Sequence, residues 1–523
     1  MENPFRYRVF YTVRQKIVTS TVVLALLAWG TVTVVQRVTT PEDRSCAPGV
    51  ARPAGSAECV GVATAGNGYD FGQPHLTQVA AAIGRENATL EEGRYATVAL
   101  LLPLSSTSPG LREKVRGELQ GAFAQQYRAN RRNNESPKVR LLLANTGKDN
   151  VHWKTAVDQL KAMTGAPHQL RAVSGIATSS TPVRNAVGEL TRAGIAVVGT
   201  TITADDLANG PGRDRFPGLA RVSPTNGDEA RALAGFGRRV DATKALLVHD
   251  TRTGDYYTNS LKNAFSSLLA RSPYEPVLFT SADDPNAEGT TANTFRQITH
   301  LVCDTRAETV FFAGRHTQLR QFINALGARG CTERRFTVLT GDEGSYLGAD
   351  PQLDRSALDS GLTVRYAALA HPDAWRARAG YRPPATGGSA DAYAEFVRTL
   401  GEVAEEPVGP IGRVTLTDGQ AIVAHDAMAM AVRAIREATP PGAHVPPLRD
   451  VAEQWPRVKG SLKVTGASGW ICLDNHGNPY NKAVPVVQLT RSTPRFVAMA
   501  WPEGGPPVAG ADHDGCARGR SRS

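Results

Sequence analysis

Two hydroxyl-rich turns are the segments of this 523-residue sequence best suited to chemistry. The first turn contains Ser179 and Ser180, which follow a strand-like run and precede a helix-like stretch. The second turn contains Thr201, Ile202 and Thr203, after the next strand-like run. In an open parallel sheet, ligands bind beyond the carboxyl ends of the strands, where helix N-termini offer free N–H groups to anions. The hydroxyls and backbone amides of the two turns would therefore suit a carboxylate.

Helix capping explains part of this pattern without any ligand. Ser180 or Thr181, placed just before Pro182, is a good N-cap for the helix that follows. The second hydroxyl-rich turn, at the equivalent strand end, is the observation that favours ligand binding over capping alone.

The sequence offers little support for catalysis or metal binding. Residues 466–470 lack the last glycine of a nucleophile elbow, and the sequence contains neither H-E-x-x-H nor a P-loop. Cys472 and His476, with His513 and Cys516, have spacings that zinc could use, but the long span between the two pairs favours a disulfide instead. The protein is predicted not to be an enzyme and to need no cofactor or metal.

A regular alternation of strand-like and helix-like segments positions the two turns. Short β-branched runs alternate with amphipathic stretches from Tyr95 onward, and the same order restarts after a break at 224–228. Strands are predicted at 97–102, 138–143, 170–174, 195–198, 245–249, 276–280, 308–314 and 335–340. This alternation is typical of parallel sheets covered by helices on both faces, so the predicted fold class is α/β, with two such domains in tandem.

The motifs, taken in order, resemble the type I periplasmic binding proteins of the leucine/isoleucine/valine-binding kind. The resemblance covers about 95–490 and rests on residues 173–182, 193–206, 220–224, 246–261, 341–344 and 477–488. It implies a clamshell of two Rossmann-like lobes joined by hinge crossings near 221–225, 362–368 and 462–470. It also implies noncovalent capture of an amino-acid-like ligand between the lobes.

The same resemblance suggests roles for residues of the second lobe. Glu343 matches the position whose carboxylate receives the ligand's ammonium group, although 341–344 is also good turn chemistry. Tyr257, or Tyr256 if the register slips, would cover the ligand or simply pack. Arg315 departs from the pattern, because several relatives carry an aromatic residue there. An Arg315 that faced the cleft would attract a second anionic group on the ligand.

An apolar segment at 17–36 predicts a membrane anchor. It contains no charge, and its length matches a hydrocarbon core about 30 Å thick. Four basic residues and only one acidic residue precede it, so the positive-inside bias places 1–16 in the cytoplasm and the bulk outside. A cleaved signal peptide is the alternative, but its apolar region would be shorter and would end at a small-residue site. We therefore predict a single-pass cell-membrane protein.

Cysteine usage and the segment pattern complete the predicted organisation. Six cysteines in an exported chain favour disulfides, and their order suggests Cys46–Cys59, Cys303–Cys331 and Cys472–Cys516. A spacer or small subdomain is predicted at 37–93 and a basic flexible tail at 501–523. The predicted lobes are 94–223 with 368–464, and 224–367 with 465–500.

Charge and motif content limit the possible partners. The formal net charge is +10, but no long basic stripe occurs outside the C-terminal tail, so no nucleic-acid partner is predicted. The sequence contains no ATP-binding motif, so transport would require an ABC permease and an ATPase on other chains. The alternative function is a membrane-tethered ligand sensor or partner-binding module that uses the same clamshell without transport.

Overall fold

The protein divides into two compact units, Met1–Ser45 and Cys46–Ser523. The computed structural model describes residues 12–39, 43–64, 68–131, 136–210, 212, 215–236, 240–284, 288–508 and 516. The predicted cytoplasmic stub at 1–16 and the predicted tail at 501–523 therefore lie largely outside the described residues.

The first unit contains one long helix, α1 (Val13–Thr39), which covers the predicted anchor segment. Its apolar side chains at Ile17, Leu24 and Trp29 are exposed. Within the described residues, however, no helix combines the length and the hydropathy needed to cross a membrane. The membrane-spanning role of 17–36 thus stays a prediction.

The first sheet has the strand order β1-β2-β3-β5-β4-β6-β7-β8. Its strands are β1 (Ser45–Ala47), β2 (Val50–Ala51), β3 (Val60–Val62), β4 (Tyr95–Leu102), β5 (Lys138–Asn145), β6 (Leu170–Ile176), β7 (Ala196–Gly199) and β8 (Leu219–Arg221). Strands β4 to β8 pair in parallel, and β3 pairs antiparallel with β5. The segment predicted as a spacer therefore extends the first sheet.

Helices cover both faces of this sheet. The helices of the first lobe are α2 (Thr77–Asn87), α3 (Pro109–Arg131), α4 (Trp153–Ala162), α5 (Thr181–Arg192), α10 (Ala390–Glu402) and α11 (Gln420–Glu437). Strand β4 is buried at every position. Because successive side chains of a strand point to opposite faces, Val98 packs in a core with α3 and α11, while Ala99 packs in a second core with α4 and α5. The buried strand and its two cores are the arrangement that continuous apolar runs predict.

The second sheet has the order β10-β9-β11-β12-β13-β16-β17. Its strands are β9 (Ala245–Asp250), β10 (Val277–Phe279), β11 (Thr309–Ala313), β12 (Phe336–Thr340), β13 (Leu362–Ala367), β16 (Val484–Gln488) and β17 (Arg495–Ala500). The first five pair in parallel and the last two antiparallel. The covering helices are α6 (Asn226–Gly235), α7 (Tyr256–Leu268), α8 (Thr291–Asp304) and α9 (His316–Gly327). The predicted strands of both lobes are confirmed to within a few residues.

The chain passes between the two lobes at three places that matter for the cleft. The first two passages follow β8 and β13, as predicted. The third lies later than the predicted 462–470, because the hairpin of β14 (Val464–Gly466) and β15 (Gly469–Ile471) packs in the first-lobe core. The carbonyl of Gly477 still accepts a hydrogen bond from the first lobe at 2.9 Å, so the passage falls between Gly477 and Val484. Trp501 then returns to the first-lobe core and is buried.

The three predicted disulfides are present as Cys46–Cys59, Cys303–Cys331 and Cys472–Cys516. The last pair excludes the alternative in which Cys472 and Cys516 bind zinc. Of the two histidines in that alternative, His513 lies outside the described residues.

A capping box fixes the start of α6, directly after the first interlobe passage. The Asp228 amide donates to Thr225 Oγ1 at 3.0 Å, and the Thr225 amide donates to the Asp228 carboxylate at 3.1 Å. We expect Thr225→Ala to lower the free energy of unfolding by about 1 kcal/mol, because it removes the side-chain acceptor. Thr290 is a matched control, since it occupies the N-cap of α8 without a side-chain capping bond. If urea unfolding showed the same loss of free energy of unfolding for Thr225→Ala and Thr290→Ala, the capping role of Thr225 would be contradicted.

Candidate functional site

A cavity of about 250 Å³ lies between the two lobes. Its first-lobe lining comes from the loops that follow β4, β5 and β6 and from the start of α3 and α5, and its second-lobe lining follows β9, β10, β11 and β12. The polar and charged lining residues are Lys114, Asp149, Asn150, Thr178, Ser180, Thr181, Arg252, Asp255, Asp283, Arg315, His316 and Glu343. The cavity thus occupies the carboxyl ends of the strands of both sheets, where open parallel sheets bind ligands.

Arg315 forms the centre of a buried ion network at the second-lobe side of the cavity. Its guanidinium contacts the Asp255 carboxylate through Nε at 2.7 Å and Nη2 at 2.8 Å, and Nη1 contacts Glu343 at 2.7 Å. The same guanidinium lies 4.7 Å from the centre of the Tyr257 ring. Arg252 also contacts Asp255, at 2.5 Å. The carboxylates are therefore paired within the second lobe.

The network also includes His316, at the N-terminus of α9. Its backbone amide and its ring Nδ1 contact the Glu343 carboxylate at 3.1 and 2.8 Å. Burial alone would raise the pKa of Glu343, but the positive charge of Arg315 and the His316 contact outweigh burial and hold that pKa well below its ordinary value. Burial likewise opposes ionisation of Asp255, and Arg315 again lowers the pKa. Both carboxylates are charged at neutral pH.

The first hydroxyl-rich turn reaches the cavity through one of its two serines. Ser180 lines the cavity, and its buried Oγ has no hydrogen-bond partner among the described residues. Ser180 is also the N-cap residue of α5, but its side chain makes no capping bond. Ser179 is buried beside it, where its Oγ accepts from the Ala204 amide at 3.4 Å and its carbonyl accepts from Arg315 at 3.3 Å. Capping alone therefore does not account for the Ser180 hydroxyl.

The second hydroxyl-rich turn lies in the interior around the cavity. Thr201 Oγ1 donates to the buried Glu118 carboxylate at 3.2 Å, and Ile202 is part of the apolar core of the first lobe. Thr203 Oγ1 donates to Asp342 at 3.3 Å, which links the two lobes. None of these three residues belongs to the cavity lining, and each side chain has a partner within the protein. A ligand contact through Thr203 or through the backbone of Thr201 and Ile202 stays a prediction.

Tyr257 is buried beneath Arg315, and its hydroxyl accepts a hydrogen bond from the Glu343 amide at 3.3 Å. The ring thus packs against the Arg315 guanidinium and helps to fix the position of the ion network. Tyr256, the alternative in the sequence, lies near the first lobe, with the Arg184 guanidinium 5.7 Å from its ring centre. Among the residues predicted to bind a ligand, the structure brings Ser180, Arg315 and Glu343 together at the cavity.

Sequence reasoning missed Lys114 and Asp255. Lys114 projects from α3 into the cavity lining, is 4% exposed, and donates to the Ala177 carbonyl at 2.6 Å. Burial lowers its pKa, against the opposing effect of Glu118 and Glu343. The available signal was a Lys114–Glu118 pair on the apolar face of α3. Asp255 has the position and side chain of an ordinary N-cap residue, and its carboxylate does accept a hydrogen bond from the Thr258 amide at the start of α7.

A second group of buried carboxylates lies where the lobes meet. The Asp342 amide donates to Glu229 at 3.1 Å, and both side chains are almost fully buried. Burial raises the pKa of Asp342 to about 7, and the charge of Glu343 adds to the effect. Burial raises the pKa of Glu229 as well, with Asp342 as the next contributor. Around neutral pH this pair holds a proton that the unfolded chain would release.

Solved structures of several solute-binding proteins share this architecture. A leucine-binding protein from Thermotoga maritima shares 17% identity over 78% of this chain and 99% of its own, with a TM-score of 0.56. A branched-chain amino acid transporter substrate-binding protein from Streptococcus pneumoniae, solved with isoleucine, shares 12% identity over 77% of this chain and 99% of its own, with a TM-score of 0.54. These likenesses establish the type I periplasmic binding fold.

A third structure has the same fold and a different ligand. It is a solute-binding protein of an ABC transporter from Rhodopseudomonas palustris, in complex with p-hydroxybenzoic acid, and shares 13% identity over 77% of this chain and 96% of its own, with a TM-score of 0.52. The sequence itself matches no family model and no curated protein.

Proposed function

We propose that this protein is the solute-binding component of an ABC transporter, which captures a small amino-acid-like or related carboxylate ligand between its lobes. The observation that carries the proposal is the cavity at the strand carboxyl ends, lined by both lobes and by charged groups held in place. Its volume is slightly below the usual range for drug-sized ligands, which suits a metabolite. A permease and an ATPase on other chains would complete the transporter.

The binding mechanism that this geometry supports is closure of the two lobes on the ligand. The first lobe contributes Lys114 and Ser180, and the second contributes the Arg315 network. Direct interlobe contacts, such as Lys148 Nζ to Asp284 at 3.1 Å and Thr203 to Asp342, stabilise the closed form. A ligand that contacts both lobes would bind the closed form more tightly than the open form and so shift the population toward it. The permease would then recognise the closed form.

We further propose that α1 anchors the protein in the cell membrane, with the second unit outside. The uncharged segment 17–36 and the basic residues before it support this arrangement. An anchored binding protein would stay beside its permease.

A specific observation favours a second function, that of a ligand sensor or partner-binding module. Asp255 and Glu343 are neutralised by Arg315 from the same chain, so the second-lobe side of the cleft needs no ligand to satisfy its charges. A clamshell that closes without a solute would serve as a surface for another protein.

A thermal-shift screen of the full chain separates the two functions. The panel contains amino acids, amine-free carboxylates, short peptides, dicarboxylates and sugars. We expect one class to stabilise the protein saturably, by about 2.7 kcal/mol at a hundredfold excess over the dissociation constant. If no compound in the panel stabilised the protein saturably, solute binding would be contradicted and the partner-binding module would be favoured.

A further inference from the structure

Hydrogen-bond acceptors on the inner wall of the cavity are already occupied. The Asp255 carboxylate contacts Arg315 and Arg252, while the Glu343 carboxylate contacts Arg315 and the backbone amide and ring Nδ1 of His316. Each of these two carboxylates is less than 10% exposed. A ligand ammonium group would have to displace an internal cation from a buried carboxylate, or stay unpaired beside a guanidinium.

Hydrogen-bond donors that line the same cavity, from both lobes, remain in excess. The Ser180 Oγ and the Arg252 Nε are both buried and have no partner among the described residues. The Lys114 ammonium uses one of its three protons on the Ala177 carbonyl. Buried donors without acceptors are costly, so a ligand that supplies acceptors gains the most here.

Two further carboxylates line the cavity, and both are more exposed than Asp255 and Glu343. The Asp149 side chain is 30% exposed, and Asp283 is exposed. The Asp149 carboxylate already has the Lys148 ammonium 3.9 Å away, and an ion pair with exposed Asp283 would be screened by solvent. These two carboxylates therefore do not replace Asp255 and Glu343 as partners for a ligand ammonium.

From this imbalance we infer that the cavity selects carboxylates that carry no ammonium group, such as 2-oxo, 2-hydroxy or aromatic acids. Lys114, Ser180 and Arg252 would receive the carboxylate through charge-assisted hydrogen bonds. Arg315 acts as an internal cation that fills the place of a ligand amine. This inference rests on the proposed solute-binding function and narrows it to one substrate class.

Isothermal titration of the full chain with matched acid pairs tests the inference. One pair is L-leucine and 4-methyl-2-oxopentanoate, and the other is L-phenylalanine and phenylpyruvate. In each pair the carboxylate and the carbon skeleton are the same, so the amine is the main difference. We expect the amine-free acid to bind at least tenfold more tightly in any pair that binds.

The outcomes distinguish this inference from the function on which it rests. Equal or tighter binding of the amino acid would overturn the selectivity and leave solute binding intact. If only sugars or peptides bound in the thermal-shift screen, the selectivity for amine-free acids would again be overturned and solute binding would stand. A fully silent panel would overturn both.

Two variants assign the selectivity to particular residues. Ser180→Ala should weaken binding of the preferred oxo acid about tenfold, because it removes an unpartnered donor. Ser267→Ala is the matched control, since its hydroxyl bonds within α7 on an exposed surface. Arg315→Gln should reduce the preference for the amine-free acid, because it frees Asp255 and Glu343. An unchanged affinity in Ser180→Ala would contradict the inference, even if Arg315→Gln failed to fold.

Discussion

Replacing Arg315 with Met is expected to lower the free energy of unfolding by about 3 to 5 kcal/mol. The substitution keeps much of the side-chain length but leaves two buried carboxylates, Asp255 and Glu343, without their main counter-ion. Removing one partner of a buried ion network is costly because the remaining charge is neither hydrated nor paired. Urea unfolding of the full chain, followed by circular dichroism, measures the loss.

Arg491→Met is the matched control for this prediction. Arg491 contacts Asp359 at 3.0 Å, but their side chains are 67% and 53% exposed. An exposed pair of this kind contributes at most about 1 kcal/mol. Losses of similar size in the two variants would show that the Arg315 network does not hold the second-lobe wall of the cavity.

The second large effect concerns the dependence of stability on pH. Asp342→Asn is expected to reduce the fall in stability that the wild type shows as pH rises from about 4 to 7, while buried Glu229 still contributes a fall of its own. The pKa of Asp342 is raised to about 7 by burial, so between its unfolded and folded pKa values the native state binds more protons than the unfolded state. Under that condition stability decreases with rising pH. The asparagine side chain does not ionise, so the free energy that the folded state loses when Asp342 ionises is absent. We therefore expect Asp342→Asn to stabilise the protein at pH 8 by about 2 to 4 kcal/mol.

Thr203→Val separates this titration from the loss of a hydrogen bond. It removes the 3.3 Å bond to Asp342 but keeps the carboxylate. Because that bond favours the charged form of Asp342, its loss should retain or steepen the fall in stability with pH. Parallel pH profiles for the wild type and Asp342→Asn would contradict the raised pKa.

The α/β architecture could be predicted from the sequence because its signals are local. Strand β4, predicted at 97–102, is a continuous apolar run that lies between two helix layers. The β14–β15 hairpin was harder to assign to a lobe, because its buried side chains Val464 and Ile471 are apolar and suit either core. Its place depends on contacts with α11, which no short window of sequence contains.

The candidate site could be predicted only in part, since its residues meet across long stretches of the chain. The sequence identified Ser180, Arg315 and Glu343, but not that Arg315 would pair with both Asp255 and Glu343. The orientation of Thr201 toward Glu118 also had no local signal, because a turn does not reveal which way its side chains point. The resemblance to a known family predicted the position of the cleft. Only the structure showed that its carboxylates are paired with Arg315 of the same chain.

The most direct test of solute binding in the cleft is isothermal titration of the strongest ligand from the screen against the wild type, Lys114→Met and Lys154→Met. Lys114 is 4% exposed in the cavity wall, whereas the Lys154 side chain is 61% exposed on α4. We predict saturable binding at one site in the wild type and in Lys154→Met. Binding to Lys114→Met should be at least tenfold weaker, because a buried charge-assisted contact is lost. Equal affinity in all three proteins would place the ligand elsewhere and contradict the proposed function of the cleft.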